Sequence, residues 1–240
     1  MSGAEIRNVS ARIAVLGDRN PEFVTHRELD AALARLPART RAEWVATDSA
    51  TARDLGDFDA VWVMSGGPFR DDDAVYAAIR WAREHGRPLL GTCSGFQYVL
   101  VEFARSVAGL DAGHAETDPD GSTLVVQPLA CSLVGQERIV TCAPGTRLAA
   151  ICGVEPFVGF HWCGYGLAPE FVAPLTQAGL VVNAHADDAG VEGVELPQHP
   201  FFVATLFQPQ VGASTGAPLH PLILAFLDAA AERYSSGVAT

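Results

Sequence analysis

The chain has 240 residues and is 49% hydrophobic, enough for the core of one large α/β domain. With 16 basic and 28 acidic residues its net charge is −12 and no basic cluster stands ready to neutralise phosphate, which argues against nucleic acid and anionic membrane surfaces as partners. No apolar run is long enough for a transmembrane helix, and the five cysteines show neither a CxxC pair nor a tetrahedral Cys/His spacing, which argues against a metal site and a disulfide framework.

Residues 12–17 are an apolar run closed by Gly17, the pattern of a buried parallel strand. Residues 25–36 have helical periodicity, with Leu29, Ala32, Leu33 and Leu36 on one face. A second strand is expected over residues 44–47 and a third over residues 59–65, closed by Gly66-Gly67-Pro68. Residues 73–85 form a helix stopped by Gly86. A short apolar strand then runs into Cys93, followed by an amphipathic helix to Val107.

Beyond Gly109 the pattern changes. Residues 122–128, 137–142 and 157–167 are short and β-like, separated by Gly, Pro and Asp, and predict a small antiparallel excursion. Residues 180–183 and 201–207 read as further strands, and residues 221–233 as a closing helix with a frayed tail from Tyr234. The succession predicts an α/β fold, a mostly parallel sheet with helices on both faces, over a single domain with its core at residues 12–230. The opening residues 1–8 lack the basic and apolar regions of a signal peptide. A cytoplasmic chain with reduced thiols is therefore expected.

The most informative segment is Gly91-Thr92-Cys93-Ser94-Gly95. A cysteine flanked by two glycines, between a strand and a helix, has the form of a nucleophile elbow. The helix N-terminus favours the thiolate, the form that attacks carbonyl carbon. In such sheets ligands bind beyond the carboxyl ends of the strands, where Ser65-Gly66-Gly67 and Cys93-Ser94 should meet. The Ser94 N–H and a Gly66 or Gly67 N–H are the natural oxyanion donors. The plainer alternatives are a Gly-Gly-Pro turn and a packed structural thiol, the latter expected for Cys131, Cys142 and Cys152.

With these residues the chain resembles the class I glutamine amidotransferase family, whose fold is flavodoxin-like, and most of all the glutaminase domain of CTP synthase and its C-terminal region-related group. Residues 91–97 and 101–105 resemble that family's nucleophile motif and the helix behind it. His114-Ala115-Glu116-Thr117-Asp118-Pro119 resembles a segment whose glutamate helps hold the substrate. Glu195-Leu196 and the run His199–Thr205 resemble the approach to its second catalytic motif. Gly66, Gln97 and Glu116 are carried over as substrate-binding positions, with Gln208 and Gln210.

Two departures accompany the likeness. Where the family continues with a catalytic His-Pro-Glu, this chain has Gln208-Pro209-Gln210, and neither amide can act as a base near neutral pH. The family's arginine near Phe160, which clamps the glutamine carboxylate, has no counterpart here. His161 and His114 are the candidates to replace the base, each weighed against a structural role. Cys163 is a pocket-lining or packed thiol, and His199 a turn residue.

Three readings follow. The first is a cysteine-nucleophile acyl-transfer or hydrolase enzyme, with Cys93, Gly67, Ser94 and His161 as its catalytic set. The second is a non-catalytic small-molecule-binding module. The third is a glutaminase subunit that delivers ammonia to a separate synthetase. No cofactor or metal is expected. The partners expected are a small-molecule substrate and either a second copy in a homodimer or that synthetase.

Overall fold

Ala11–Leu16 (β1) is buried at every position but Arg12, and it pairs in parallel with both Thr40–Val45 (β2) and Ala60–Val63 (β3). The computed structural model describes residues 11–238, so the signal-peptide reading of residues 1–8 lies outside the described residues. Val24–Leu33 (α1) joins β1 to β2, and Ala50–Arg53 (α2) joins β2 to β3. Asp72–Glu84 (α3), Leu89–Thr92 (β4) and Ser94–Ser106 (α4) follow. Then come Gly113–His114 (β5), Leu124–Pro128 (β6), Gln136–Cys142 (β7), Arg147–Cys152 (α5), Phe157–His161 (β8) and Tyr165–Leu167 (β9). Val172–Gln177 (α6), Val181–Ala186 (β10), Gly190–Glu195 (β11), Phe202–Thr205 (β12) and Pro221–Val238 (α7) complete the order.

Nine strands form one sheet in the order β2-β1-β3-β4-β12-β11-β10-β7-β8, and β5, β6 and β9 form a second. The stretch from β2 to β12 is parallel, as βα crossovers require. From β12 onward the pairings are antiparallel, so the expected excursion is divided: β7 and β8 continue the main sheet, while β6 and β9 pair in the second. One core cluster takes side chains from α3 and α4, and the other takes Leu29 of α1, Leu148 of α5 and Leu222 and Phe226 of α7. Helix α4, expected to be amphipathic, is buried from Ser94 to Ala104 with its polar Gln97 and Glu102 included; Glu102 is held by Arg83.

Several boundaries differ from expectation for identifiable reasons. Strand β2 begins at Thr40, because an edge strand tolerates Arg41 and Glu43 on its outer positions. Helices α2, α5 and α6 have 4 to 6 residues, too few for a helical period to register in sequence. Strand β11 was hidden by Gly190, Gly193 and two buried glutamates. Helix α7 does not fray at Tyr234, where Ser235 and Ser236 donate back to the carbonyls of Ala231 and Glu232. The apolar run 157–167 splits at Trp162-Cys163-Gly164, sending β8 to one sheet and β9 to the other. That break carries Trp162 and Cys163 to the carboxyl end of β4.

Candidate active site around Cys93

Strand β4 ends at Thr92 and α4 begins at Ser94, leaving Cys93 as the hinge between them. Its φ of 54° and ψ of −108° make it the one non-glycine residue at positive φ among the described residues. Such a conformation costs on the order of 1–3 kcal/mol and persists only where the surroundings impose it. Here the Cys93 N–H donates to the Thr205 carbonyl of β12 at 2.9 Å, and the Cys93 carbonyl accepts the Gln97 N–H at 3.2 Å. The flanking glycines are required by packing. A Cβ on Gly95 would stand 2.1 Å from the Val63 carbonyl oxygen, and one on Gly91 2.9 Å from that of Gly95. The strain is thus borne by the cysteine, and the glycines let α4 lie against β3 and β4.

Cys93 is 3% exposed and faces a cavity of about 350 Å³. Gly66, Gly67, Ser94, Gln97 and Glu116 line it with Cys93, as expected from the sequence. Phe23, Thr25, Ser65, Val134, Trp162, Cys163, Gly164 and Tyr165 complete the wall. Among the described residues of that wall, Glu116 is the one acidic or basic side chain apart from the cysteines and Tyr165. Burial, with a smaller contribution from Asp72, holds its carboxyl above the usual range.

The floor under Ser65-Gly66-Gly67 is built by α1. His26 accepts the Asn20 N–H at Nδ1 (2.9 Å), so its Nε2 carries the proton and donates to the Ser65 carbonyl at 2.9 Å. Burial lowers its pKa and keeps it neutral. Gly66 has φ +104°, and a Cβ there would meet His26 Nε2 at 3.0 Å, so this position is reserved for glycine. The Gly67 N–H donates to Ser94 Oγ at 3.1 Å. The Ser94 N–H lies in the first turn of α4, where backbone donors have no intrahelical acceptor.

A chain of hydrogen bonds fixes Glu116. Gln97 Nε2 donates to the Tyr165 carbonyl at 2.8 Å, and its Oε1 accepts from His114 Nε2 at 3.1 Å. His114 Nδ1 in turn accepts the Glu116 N–H at 3.1 Å. Both nitrogens of His114 are committed, and burial drops its pKa to about 4. The structure therefore makes His114 a neutral spacer and removes it as a replacement base.

Three other expected site residues do not reach the cavity. His161 is fully buried, its Nε2 2.9 Å from both carboxylate oxygens of Glu192. Gln208 lines a separate cavity of about 190 Å³ with Phe160, Phe207 and His220. Gln210 is buried and donates to the Gln208 Oε1. His199 is a turn residue as expected, accepting the Phe201 N–H at Nδ1.

Sequence reasoning missed Phe23, Thr25, His26 and Glu192, which carry no local motif. Trp162 could have been found from the split of the 157–167 run. Its carbonyl oxygen lies 3.6 Å from Cys93 Sγ. Cys163 lines the cavity, and the neighbouring Cys93 thiol, with burial, holds its pKa well above the ordinary value. Among the described residues no group of three or more His, Cys, Asp or Glu side chains could hold a metal ion. No helix among them is long and apolar enough to cross a membrane.

A family model for class I glutamine amidotransferase matches residues 24–218. The chain is 31% identical over 209 residues to a CTP synthase of Methanoculleus marisnigri, an alignment covering 84% of this chain and 39% of that protein. It is 34% identical over 241 residues to a CTP synthase of Methanopyrus kandleri, covering 88% and 44%. The chain thus spans about two fifths of the length of these relatives. Among solved structures, the glutaminase domain of Trypanosoma brucei CTP synthase with bound acivicin superposes with a TM-score of 0.77 at 24% identity, covering 93% of this chain and 94% of that one. A glutamine amidotransferase from Thermotoga maritima gives 0.57 at 14% identity, covering 91% and 83%. At these identities the likeness is one of fold.

Proposed function

Because this chain belongs to the class I glutamine amidotransferase family, we propose that Cys93 is the nucleophile of an acyl-transfer or hydrolase centre acting on an amide or ester other than free glutamine. One observation carries the reading: a cysteine held at φ 54° at the N-terminus of a buried helix, facing a cavity of about 350 Å³. A packing thiol has no need of that strain. Cys93 Sγ attacks the substrate carbonyl, and the thiol proton leaves with the amine or alcohol. The acyl-thioester is then released to water or a second amine. The Ser94 N–H is the first oxyanion donor, and the Gly67 N–H becomes the second when Ser94 Oγ turns away. Glu116, in the cavity wall, meets a cationic group of the substrate in this reading. With no basic side chain in the wall among the described residues, a free glutamine carboxylate would meet no countercharge. His161 is taken up with Glu192, so no proton-transfer step is given to it.

A second reading, a non-catalytic binding module, draws support from the Gly67 N–H being already engaged by Ser94 Oγ. Delivery of ammonia to a separate synthetase rests on the likeness to the longer CTP synthases. Alkylation across pH separates the three. The exposed Cys131 serves as an internal free-thiol reference for Cys93. We expect iodoacetamide to label Cys93 faster than Cys131 below pH 7, and Cys93→Ala to abolish that label. Labelling no faster than Cys131 would sink the enzyme reading in favour of the binding module. Ammonia released from glutamine would select the third reading.

A further inference from the structure

Two thiols, not one, face the cavity. Cys93 Sγ lies 3.6 Å from the carbonyl oxygen of Trp162, the residue before Cys163. Cys163 Sγ lies 3.8 Å from the carbonyl of Leu206, and the Cys93 N–H bonds the carbonyl of the preceding residue, Thr205. Both cysteines are thereby tied to adjacent points on the same two segments. Both are unpaired thiols and belong to one core cluster. Cys142 and Cys152 sit in the cluster on the other side of the sheet, and Cys131 is on the surface. The loop that carries Cys163 ends at Gly164, where an added Cβ would meet nothing within 4 Å.

We propose that Cys163 is the resolving thiol of Cys93, so that a hydroperoxide converts the pair to an intramolecular Cys93–Cys163 disulfide. In the first step Cys93 sulfur attacks the peroxide O–O bond, giving a sulfenic acid and releasing the alcohol, or water from hydrogen peroxide. In the second, Cys163 sulfur attacks the sulfenic sulfur, and hydroxide leaves with the Cys163 proton as water. Two thiols are oxidised by two electrons and one peroxide is reduced. The disulfide removes the nucleophile and closes the cavity wall, and a dithiol reopens both. Capture as a disulfide protects Cys93 from the irreversible sulfinic and sulfonic states. Cys163, held protonated by Cys93 and by burial, is not the thiol that meets the peroxide first.

The inference needs only the adjacency of the two thiols and stands or falls apart from acyl transfer. The test is peroxide treatment of the whole chain, alkylation, and non-reducing peptide mapping by mass spectrometry. The expected product is a Cys93–Cys163 cross-linked peptide lighter by two hydrogens, reversed by dithiothreitol, with Cys131 still alkylated. In Cys163→Ser, trapping of Cys93 sulfenic acid by dimedone should rise about tenfold or more over the native chain. A native map in which Cys93 is sulfinic or dimedone-labelled while Cys163 remains alkylatable overturns the proposal. So does cross-linking of Cys93 to Cys131, Cys142 or Cys152, or no oxidation of Cys93 at all. The native map decides without any variant having to fold.

Discussion

Gln210 Nε2 donates to Gln208 Oε1 at 2.9 Å, and both side chains are buried. This neutral pair occupies the two positions at which the resemblance calls for a histidine and a glutamate. It is held by its own hydrogen bond, with Gln208 Nε2 and Gln210 Oε1 left without protein partners. Gln210→Leu strands the Gln208 oxygen and should destabilise the fold by about 1–3 kcal/mol, read from denaturant midpoints. Gln208→Leu with Gln210→Leu removes both partners, so its cost should fall below the sum of the single variants. Additive costs would mean that the pair does not interact.

The strain at Cys93 predicts an opposition between stability and reactivity. Cys93→Gly relieves the positive φ at some cost in unfolded-chain entropy, for a net gain of about 1 kcal/mol, whereas Cys93→Ala keeps the strain and should not stabilise. Thermal melts of the two variants check this. Equal melting temperatures would show that the backbone is not strained.

Gly95→Ala should be far more damaging than any other change at the elbow. Its Cβ would fall 2.1 Å from a backbone oxygen of the central sheet, which no side-chain rearrangement relieves. A loss of more than about 4 kcal/mol, or failure to accumulate as folded protein, is expected. A normal melt and normal Cys93 labelling would contradict the packing account.

Acid should weaken the fold through its buried histidines. Burial lowers His114 and His220 to about 4, below the ordinary value of about 6.5 that holds when unfolded. Each folded-state pKa is depressed, so the unfolded chain takes up the protons first. The stability is complete above about pH 6.5 and is lost as pH falls towards 4, by up to about 3 kcal/mol per histidine. Glu116, whose carboxyl is raised, offsets part of this loss on the acid side. His220→Phe keeps the packing against Phe157 and Phe207 and should flatten the decline between pH 6.5 and 4.5. An unchanged slope would refute the assignment.

On the proposed activity, Glu116 should select for charge. Glu116→Gln should lower the acylation rate of Cys93 by cationic esters about tenfold, close to 1.4 kcal/mol, and leave neutral esters within about twofold. Equal losses for both would show that the Glu116 side chain shapes the cavity without selecting for charge.

Much of the fold was legible because its signals are local. Apolar runs closed by glycine marked β1, β3 and β4, and α3 and α4 announced themselves by period and stop signal. The elements that were missed are short, such as α2 and α5, or depart from strand composition, such as β11. The site was legible in the same measure. Cys93, Gly67, Ser94, Gln97 and Glu116 meet at one cavity, while His161, Gln208 and Gln210 do not line it.

What the sequence by itself determined is the elbow, because a strand, a turn and a helix within a few residues need only near-neighbour sterics. The glycines at 91 and 95 were readable as a requirement, although their cause is the approach of α4 to the sheet. Only the tertiary structure decided what surrounds the sulfur. The Trp162 carbonyl and Cys163 reach Cys93 from about 69 residues away, brought by the break between β8 and β9 and by the strand order. Burial, which no motif encodes, makes His114 a spacer and raises the Glu116 carboxyl. The chemistry around Cys93 is therefore a property of long-range packing, where desolvation and contact depend on which segments the sheet places side by side.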